Sequence, residues 1–193
     1  LLINISASPY AYGKHKERYQ MLSVLTKDDK IPLAYICCVG AQTELIFDGG
    51  SMCFNSRGEL CLLGKSFRED YFIFDTNEKY QPVQEVESCF EEEVLSALIM
   101  ALKDYGAKTG FSKAIIGLSG GIDSALVVYI AERAFGKDNV VAVMMPSQFS
   151  SEGSVEDSIK LISKLGIKSH KISIQSVFKE VLNVLEPAFN NMP

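Results

Sequence analysis

Lys113-Ala114-Ile115-Ile116-Gly117-Leu118-Ser119-Gly120-Gly121-Ile122-Asp123-Ser124-Ala125-Leu126 is the stretch on which the fold of this 193-residue chain turns. Residues 113–118 are an apolar run that predicts a strand, and residues 124–135 carry the spacing of a helix. Between them lie only small residues. A phosphate group asks for inward-pointing backbone N–H groups, little side-chain bulk and a helix N-terminus behind it. Ser119-Gly120-Gly121 meets all three demands, and the hydroxyls of Ser119 and Ser124 can donate as well. Asp123 is itself an anion and does not suit a phosphate directly. It suits a Mg²⁺ that bridges to the phosphates. The plainer alternative is a tight turn with Asp123 as helix cap; the complete strand–loop–helix setting favours phosphate. The loop has neither the Gly-Lys-Ser/Thr of a Walker A sequence nor a GxGxxG fingerprint.

Downstream of the loop the pattern alternates. Strands are expected at 139–145 and 168–174, and helices at 155–165 and 177–189, with Gly166 ending the first of these. Strand and helix in strict alternation specify a parallel sheet, in which ligands bind beyond the carboxyl ends of the strands. The loop stands at such an end.

Upstream, the texture changes. Residues 1–75 hold short β-rich runs: a buried strand at 1–6, a second at 31–39, and shorter ones at 43–47, 51–54, 59–63 and 71–74, with one helix at 14–25. Asn55-Ser56-Arg57-Gly58 has the composition of a hairpin turn. Residues 76–88 are polar, contain Pro82 and are expected to be a linker. A helix follows, with Val94, Leu95, Leu98, Ile99, Leu102 and Tyr105 on its buried face and Gly106 and Gly110 ending it.

Composition narrows the classes. Lys and Arg number 19 against 24 Asp and Glu, a net charge of −5, so there is no general basic footprint for nucleic acid. The five cysteines (Cys37, Cys38, Cys53, Cys61 and Cys89) show no zinc spacing and are expected to be buried, reduced thiols of a cytoplasmic protein. No apolar run approaches the roughly 20 residues that span a bilayer. His15 and His170 are expected to take surface or satisfied structural roles rather than catalytic ones, and Lys14, His15, Lys16 and Arg18 form a basic cluster expected to be a solvated face. The chain opens on an apolar run without Met and closes on Asn190-Asn191-Met192-Pro193; both ends are expected to be cuts through a longer polypeptide.

Three stretches resemble a known family. Ser119-Gly120-Gly121-Ile122-Asp123-Ser124 is similar to the SGGxDS loop of the ATP pyrophosphatases, which include the NAD, GMP, asparagine and argininosuccinate synthetases. Residues 145–157, beginning Met145-Pro146-Ser147, resemble the MPSxxSSExSxxD run of glutamine-dependent NAD synthetases; Ser154 is also expected to cap the following helix. Asn4-Ile5-Ser6-Ala7-Ser8-Pro9-Tyr10, with Gly13, Lys14 and Arg18, and then residues 43–51, resemble the late part of a nitrilase-type glutamine amidase domain.

That resemblance spans essentially the whole chain and implies an α/β fold in three parts. The C-terminal part of a nitrilase-like αββα domain covers 1–75, the linker 76–88, and the first part of a doubly wound, parallel-sheet, Rossmann-like ATP-pyrophosphatase domain 89–193. It implies a ligase that amidates deamido-NAD to NAD through an adenylylated intermediate, with ammonia from glutamine, releasing AMP and pyrophosphate. By the same likeness Gly117, Leu118, Ser119, Gly120, Gly121, Ile122, Asp123, Ser124 and Met145 bind ATP and pyrophosphate. Asp123 ligates Mg²⁺, and Ser8 and Lys14 hold glutamine, as a hydroxyl and a cation suit its polar groups. The Glu, Lys and Cys triad of such an amidase precedes residue 1, so no residue of this chain is expected to perform the glutaminase chemistry. The expected partners are deamido-NAD, ATP and glutamine or ammonia, with no nucleic acid and no membrane, in a homo-oligomer. Another ATP pyrophosphatase, such as a GMP or asparagine synthetase, and a non-catalytic nucleotide-binding fragment remain the alternatives.

Overall fold

The computed structural model describes residues 1–84 and 89–189. Residues 85–88 of the expected linker and the end of the chain at 190–193 lie outside the described residues. The chain divides into two compact units, Leu1–Thr109 and Gly110–Pro193.

The first unit runs β1 (Leu2–Ser6), α1 (Lys14–Asp29), β2 (Leu33–Cys37), β3 (Val39–Gln42), β4 (Leu45–Asp48), β5 (Met52–Phe54), β6 (Leu60–Leu63) and α2 (Phe90–Thr109). One sheet has the order β1-β2-β5-β6, and β3 and β4 form a separate pair. β1 and β2 are parallel, while β2–β5, β5–β6 and β3–β4 are antiparallel. The turn at Asn55 forms because its side-chain Oδ1 accepts from the N–H groups of Arg57 (2.9 Å) and Glu59 (3.1 Å). Gly58 completes it at φ +78°. Leu22 of α1 joins Leu33, Tyr35, Cys37, Met52, Phe54 and Leu60 of the sheet in one buried cluster. The stripe that α1 buries is Arg18, Leu22 and Thr26, every fourth residue and thus one helix face.

Several expectations change here. The strand expected at 31–39 splits at Cys38, whose N–H donates to Ser6 (2.9 Å) while its carbonyl accepts from Gly49 (3.0 Å), so the chain crosses from one sheet to the other. Residues 71–74 form no strand: Tyr71 and Ile73 alternate, but they are exposed and have no ladder to join. β1 is not buried, because it pairs on one edge only and leaves Leu2, Ile3 and Ile5 exposed. On α2 the buried residues are Ala97 and Gly106, while Leu98 and Tyr105 are exposed. Gly106 lies inside the helix, and Gly110 at φ +80° follows its end. α2 packs on the β3–β4 pair: Asp104 Oδ2 accepts from Ala41 N–H at 2.7 Å, and Lys108 Nζ donates to the Ala41 carbonyl.

The second unit runs β7 (Ala114–Gly117), α3 (Ile122–Phe135), a 3₁₀ turn (Lys137–Asn139), β8 (Val140–Met144), α4 (Glu152–Leu165), β9 (Lys168–Lys171) and α5 (Gln175–Phe189). Its sheet has the order β7-β8-β9, all parallel, as the alternation predicts. α3 packs on β7 and β8 and also against α4. Val128, Ala131, Val140, Ala142 and Met144 are the buried apolar residues of these elements. Gly166 caps α4 at φ +67° with its N–H to Ile162 (2.9 Å). At the other end the cap is Ser151, not Ser154: Ser151 Oγ accepts from Ser154 N–H at 3.1 Å. Ser154 already sits in the first turn, because the helix begins at Glu152. The strand order runs one way, and the reversal that makes a sheet doubly wound is not found among the described residues. No described helix is long and apolar enough to cross a membrane.

Candidate functional site: a phosphate loop and a lysine-bearing helix start

β7 ends at Gly117, and Leu118 continues its ladder with an N–H to Val143 (2.9 Å) before sinking into the core. Ser119-Gly120-Gly121 then turns at the sheet's carboxyl edge, and α3 starts at Ile122 with Gly121 as its N-cap. The helix has no side-chain cap, so Asp123 is a first-turn residue rather than the cap. Its N-terminal N–H groups remain available to an anion.

The hydroxyls of Ser119 and Ser124 stand 3.0 Å apart. Ser124 Oγ accepts from Ser119 N–H at 3.2 Å and donates to the Gly121 carbonyl at 3.0 Å. Ser119 Oγ accepts from Gly121 N–H at 3.3 Å. Two hydroxyls and two amides thus converge on one exposed turn. Gly120 has φ +85°, and a Cβ there would meet the Cα and carbonyl carbon of Ser154 at 2.7 Å each. Only glycine lets the loop lie this close to the start of α4. Met145, at the end of β8, reaches the same edge: its Cε is 3.6 Å from where a Cβ on Gly117 would stand. The structure therefore brings together residues 117–121, the start of α3 and Met145. Ile122 and Asp123 project into solvent.

Among the described residues no three His, Cys, Asp or Glu side chains gather as a metal site. A single carboxylate beside phosphates suits Mg²⁺, which commonly takes one or two protein carboxylates and completes its shell with phosphate oxygens and water. Asp123 fits that description.

In the first unit, Ser8 lies half-buried between β1 and α1. α1 begins after Gly13, which adopts φ +79°, and Lys14 Nζ turns back to donate to the Pro9 carbonyl at 2.9 Å. Tyr10 docks beside them, with its N–H to Ile46 (2.6 Å) and its ring edge-on to Phe67 at 5.3 Å. Burial holds its phenol protonated well above the usual range, and Glu93 adds to this. One turn along α1, Arg18 is buried, not solvated as the basic cluster suggests, and it ion-pairs with Asp48. Burial opposes its charge, but the hydrogen bond and charge of Asp48 prevail and hold the guanidinium above its ordinary value. The four-residue spacing of Arg18, Leu22 and Thr26 was the signal that places Arg18 on the inner stripe.

All five cysteines are free; Cys37, Cys53 and Cys61 are buried as expected, but Cys38 and Cys89 are exposed. Burial pushes the Cys53 thiol up to about 12, with Cys61 adding to the shift, and burial likewise raises Cys61. Such thiols stay protonated and are poor nucleophiles.

A parallel α/β sheet whose first strand ends in a Ser-Gly-Gly loop at a helix N-terminus has the backbone setting that suits a phosphate group. The family model for NAD synthase matches residues 94–192, and the chain belongs to that family. It is 40% identical over 201 residues to the glutamine-dependent NAD(+) synthetase of Synechocystis sp., covering 100% of this chain and 36% of the relative. It is 39% identical to the Thermotoga maritima enzyme of the same name, covering 98% of this chain and 39% of the relative. A solved structure of the glutamine-dependent NAD+ synthetase from Acinetobacter baumannii, in complex with ADP, matches with TM-score 0.91 and 39% identity. It covers 100% of this chain and 38% of that one. The chain thus spans little more than a third of these relatives.

Proposed function

We propose that the full-length protein carrying this chain converts deamido-NAD to NAD, using ATP and ammonia drawn from glutamine. In the proposed reaction a carboxylate oxygen of the nicotinate group attacks the α-phosphorus of ATP and pyrophosphate leaves. Ammonia then attacks the activated acyl carbon and AMP leaves. The convergence of the Ser119 and Ser124 hydroxyls with the Ser119 and Gly121 amides at the start of α3 carries this reading. Preorganised donors at that point stabilise the negative charge that develops on the departing pyrophosphate. Met145 bounds the base end of the nucleotide, and Gly117, Leu118 and Ile122 supply backbone on either side of the loop. Asp123 would hold a Mg²⁺, which when bound neutralises phosphate charge.

The Acinetobacter baumannii relative was solved in complex with ADP, which supports an adenine nucleotide as a ligand of the full-length protein. Ser8 and Lys14 are proposed as contacts for glutamine, with the Lys14 ammonium leaving Pro9 for the substrate carboxylate. The hydrolysis itself is assigned to a part of the full-length protein beyond this chain.

In terms of domains, residues 1–75 are read as nitrilase-like and 89–193 as the start of a doubly wound synthetase sheet, joined by 76–88. That the family match begins at Val94 supports counting α2 with the synthetase half.

The test supplies the full-length protein with Mg²⁺-ATP and deamido-NAD, with either glutamine or ammonium, and follows AMP and NAD. Both donors should yield NAD, and Asp123→Ala should abolish both reactions. AMP release with xanthosine monophosphate or aspartate instead of deamido-NAD would reassign the substrate.

A further inference from the structure

β8 delivers Met145 and Pro146 to the edge that carries the phosphate loop. The residues that follow fold into a small turn. Ser150 N–H donates to the Ser147 carbonyl (3.1 Å), Ser147 N–H to Ser150 Oγ (3.1 Å) and Phe149 N–H to Ser147 Oγ (3.3 Å). These bonds shape the turn but do not decide where it stands. Phe149 is 73% exposed, so burial does not anchor it either.

The anchor is the start of α5. Gln175 Oε1 accepts from the backbone N–H of Gln148 at 2.7 Å, and Gln175 Nε2 donates to Gln148 Oε1 at 3.0 Å. Ile174 N–H donates to the Pro146 carbonyl at 3.2 Å, and the rings of Phe149 and Phe178 meet edge to face at 5.4 Å. One carboxamide thus holds both the backbone and the side chain of a residue 27 positions away. Two glutamines form this reciprocal pair at no cost in charge, and the aromatic contact fixes its orientation.

We infer that Gln175 is a positioning residue for the nucleotide site, setting where residues 145–150 stand against the base end of ATP. The inference rests on the ATP-binding reading above. It acts through Gln148 and the turn, and does not itself touch the nucleotide.

The experiment measures steady-state kinetics of the full-length protein with ammonium and saturating deamido-NAD, varying ATP. Gln175→Leu should raise the ATP KM roughly threefold to tenfold and leave kcat within about twofold, the scale of one lost hydrogen-bonded pair. Gln175→Glu keeps an acceptor for the Gln148 N–H and should return KM close to wild type. Gln148→Ala keeps that bond as well and should raise KM less than Gln175→Leu does. An unchanged KM in Gln175→Leu, or an equal rise in Gln175→Glu, overturns the positioning role while the wild-type activity stands. A wild-type protein that makes no AMP from ATP and deamido-NAD overturns the functional reading, and this inference with it.

Discussion

Arg18 and Asp48 form an ion pair sealed inside the first unit, with side chains 6% and 4% exposed. The pair ties α1 to the end of β4. Arg18 also donates to Cys37 Sγ at 3.7 Å and lies 5.8 Å from the centre of the Tyr35 ring. Removing one partner strands the other charge in a buried site, a loss of roughly 3–5 kcal/mol. Arg18→Met and Asp48→Leu should each lower the urea midpoint strongly, while the double variant should recover much of the loss. Additive losses in the double-mutant cycle would show that the two charges do not act as a unit.

Gly120 holds a left-handed backbone against Ser154. An Ala there needs both a strained φ and a displacement of α4. Gly120→Ala should destabilise the second unit by roughly 1–3 kcal/mol and weaken ATP use more than it weakens folding. Calorimetry and the ATP KM together check this. A variant with native ATP affinity would mean that the close approach is not needed at the site.

Asp104 gives the clearest pH dependence. The Ala41 N–H lowers its carboxyl pKa, and Lys108 adds to the effect. Its folded pKa therefore lies below the unfolded value of about 3.9. The unfolded chain binds the proton first, so the stabilisation is present above about pH 4 and is lost as pH falls through the folded pKa. Asp104→Asn should flatten the acid limb of the stability curve while changing its slope near neutral pH little. Urea midpoints at several acidic pH values provide the comparison, and an unaltered acid limb would remove Asp104 from the account.

The thiols should divide by exposure. Cys38 and Cys89 should react with a maleimide in the folded chain, and Cys37, Cys53 and Cys61 only in denaturant. Mass spectrometry of the labelled chain counts them. Rapid native labelling of Cys53 would contradict both its burial and its raised pKa.

Much of the second unit was legible in the sequence. Its elements alternate, and each boundary carries a local signal: small residues after β7, Gly166 after α4. The Ser119–Gly121 turn between β7 and α3 was legible for the same reason, since a strand–turn–helix of small residues is set by local chain geometry. The cap of α4 was misplaced by three residues because Ser150, Ser151 and Ser154 are all competent caps, and only the backbone geometry selects Ser151.

The sequence by itself determined the fold class, the strand–loop–helix site and the family to which those motifs belong. Tertiary structure alone decided the fate of Arg18, the crossing of the chain between sheets at Cys38, the exposure of β1 and the Gln148–Gln175 clasp. The physical reason is separation along the chain. A charge is buried or solvated according to whether a partner arrives from elsewhere, and Asp48 is 30 residues from Arg18. A strand is covered or open according to which elements fold over it, and no spacing within five residues of β1 encodes that.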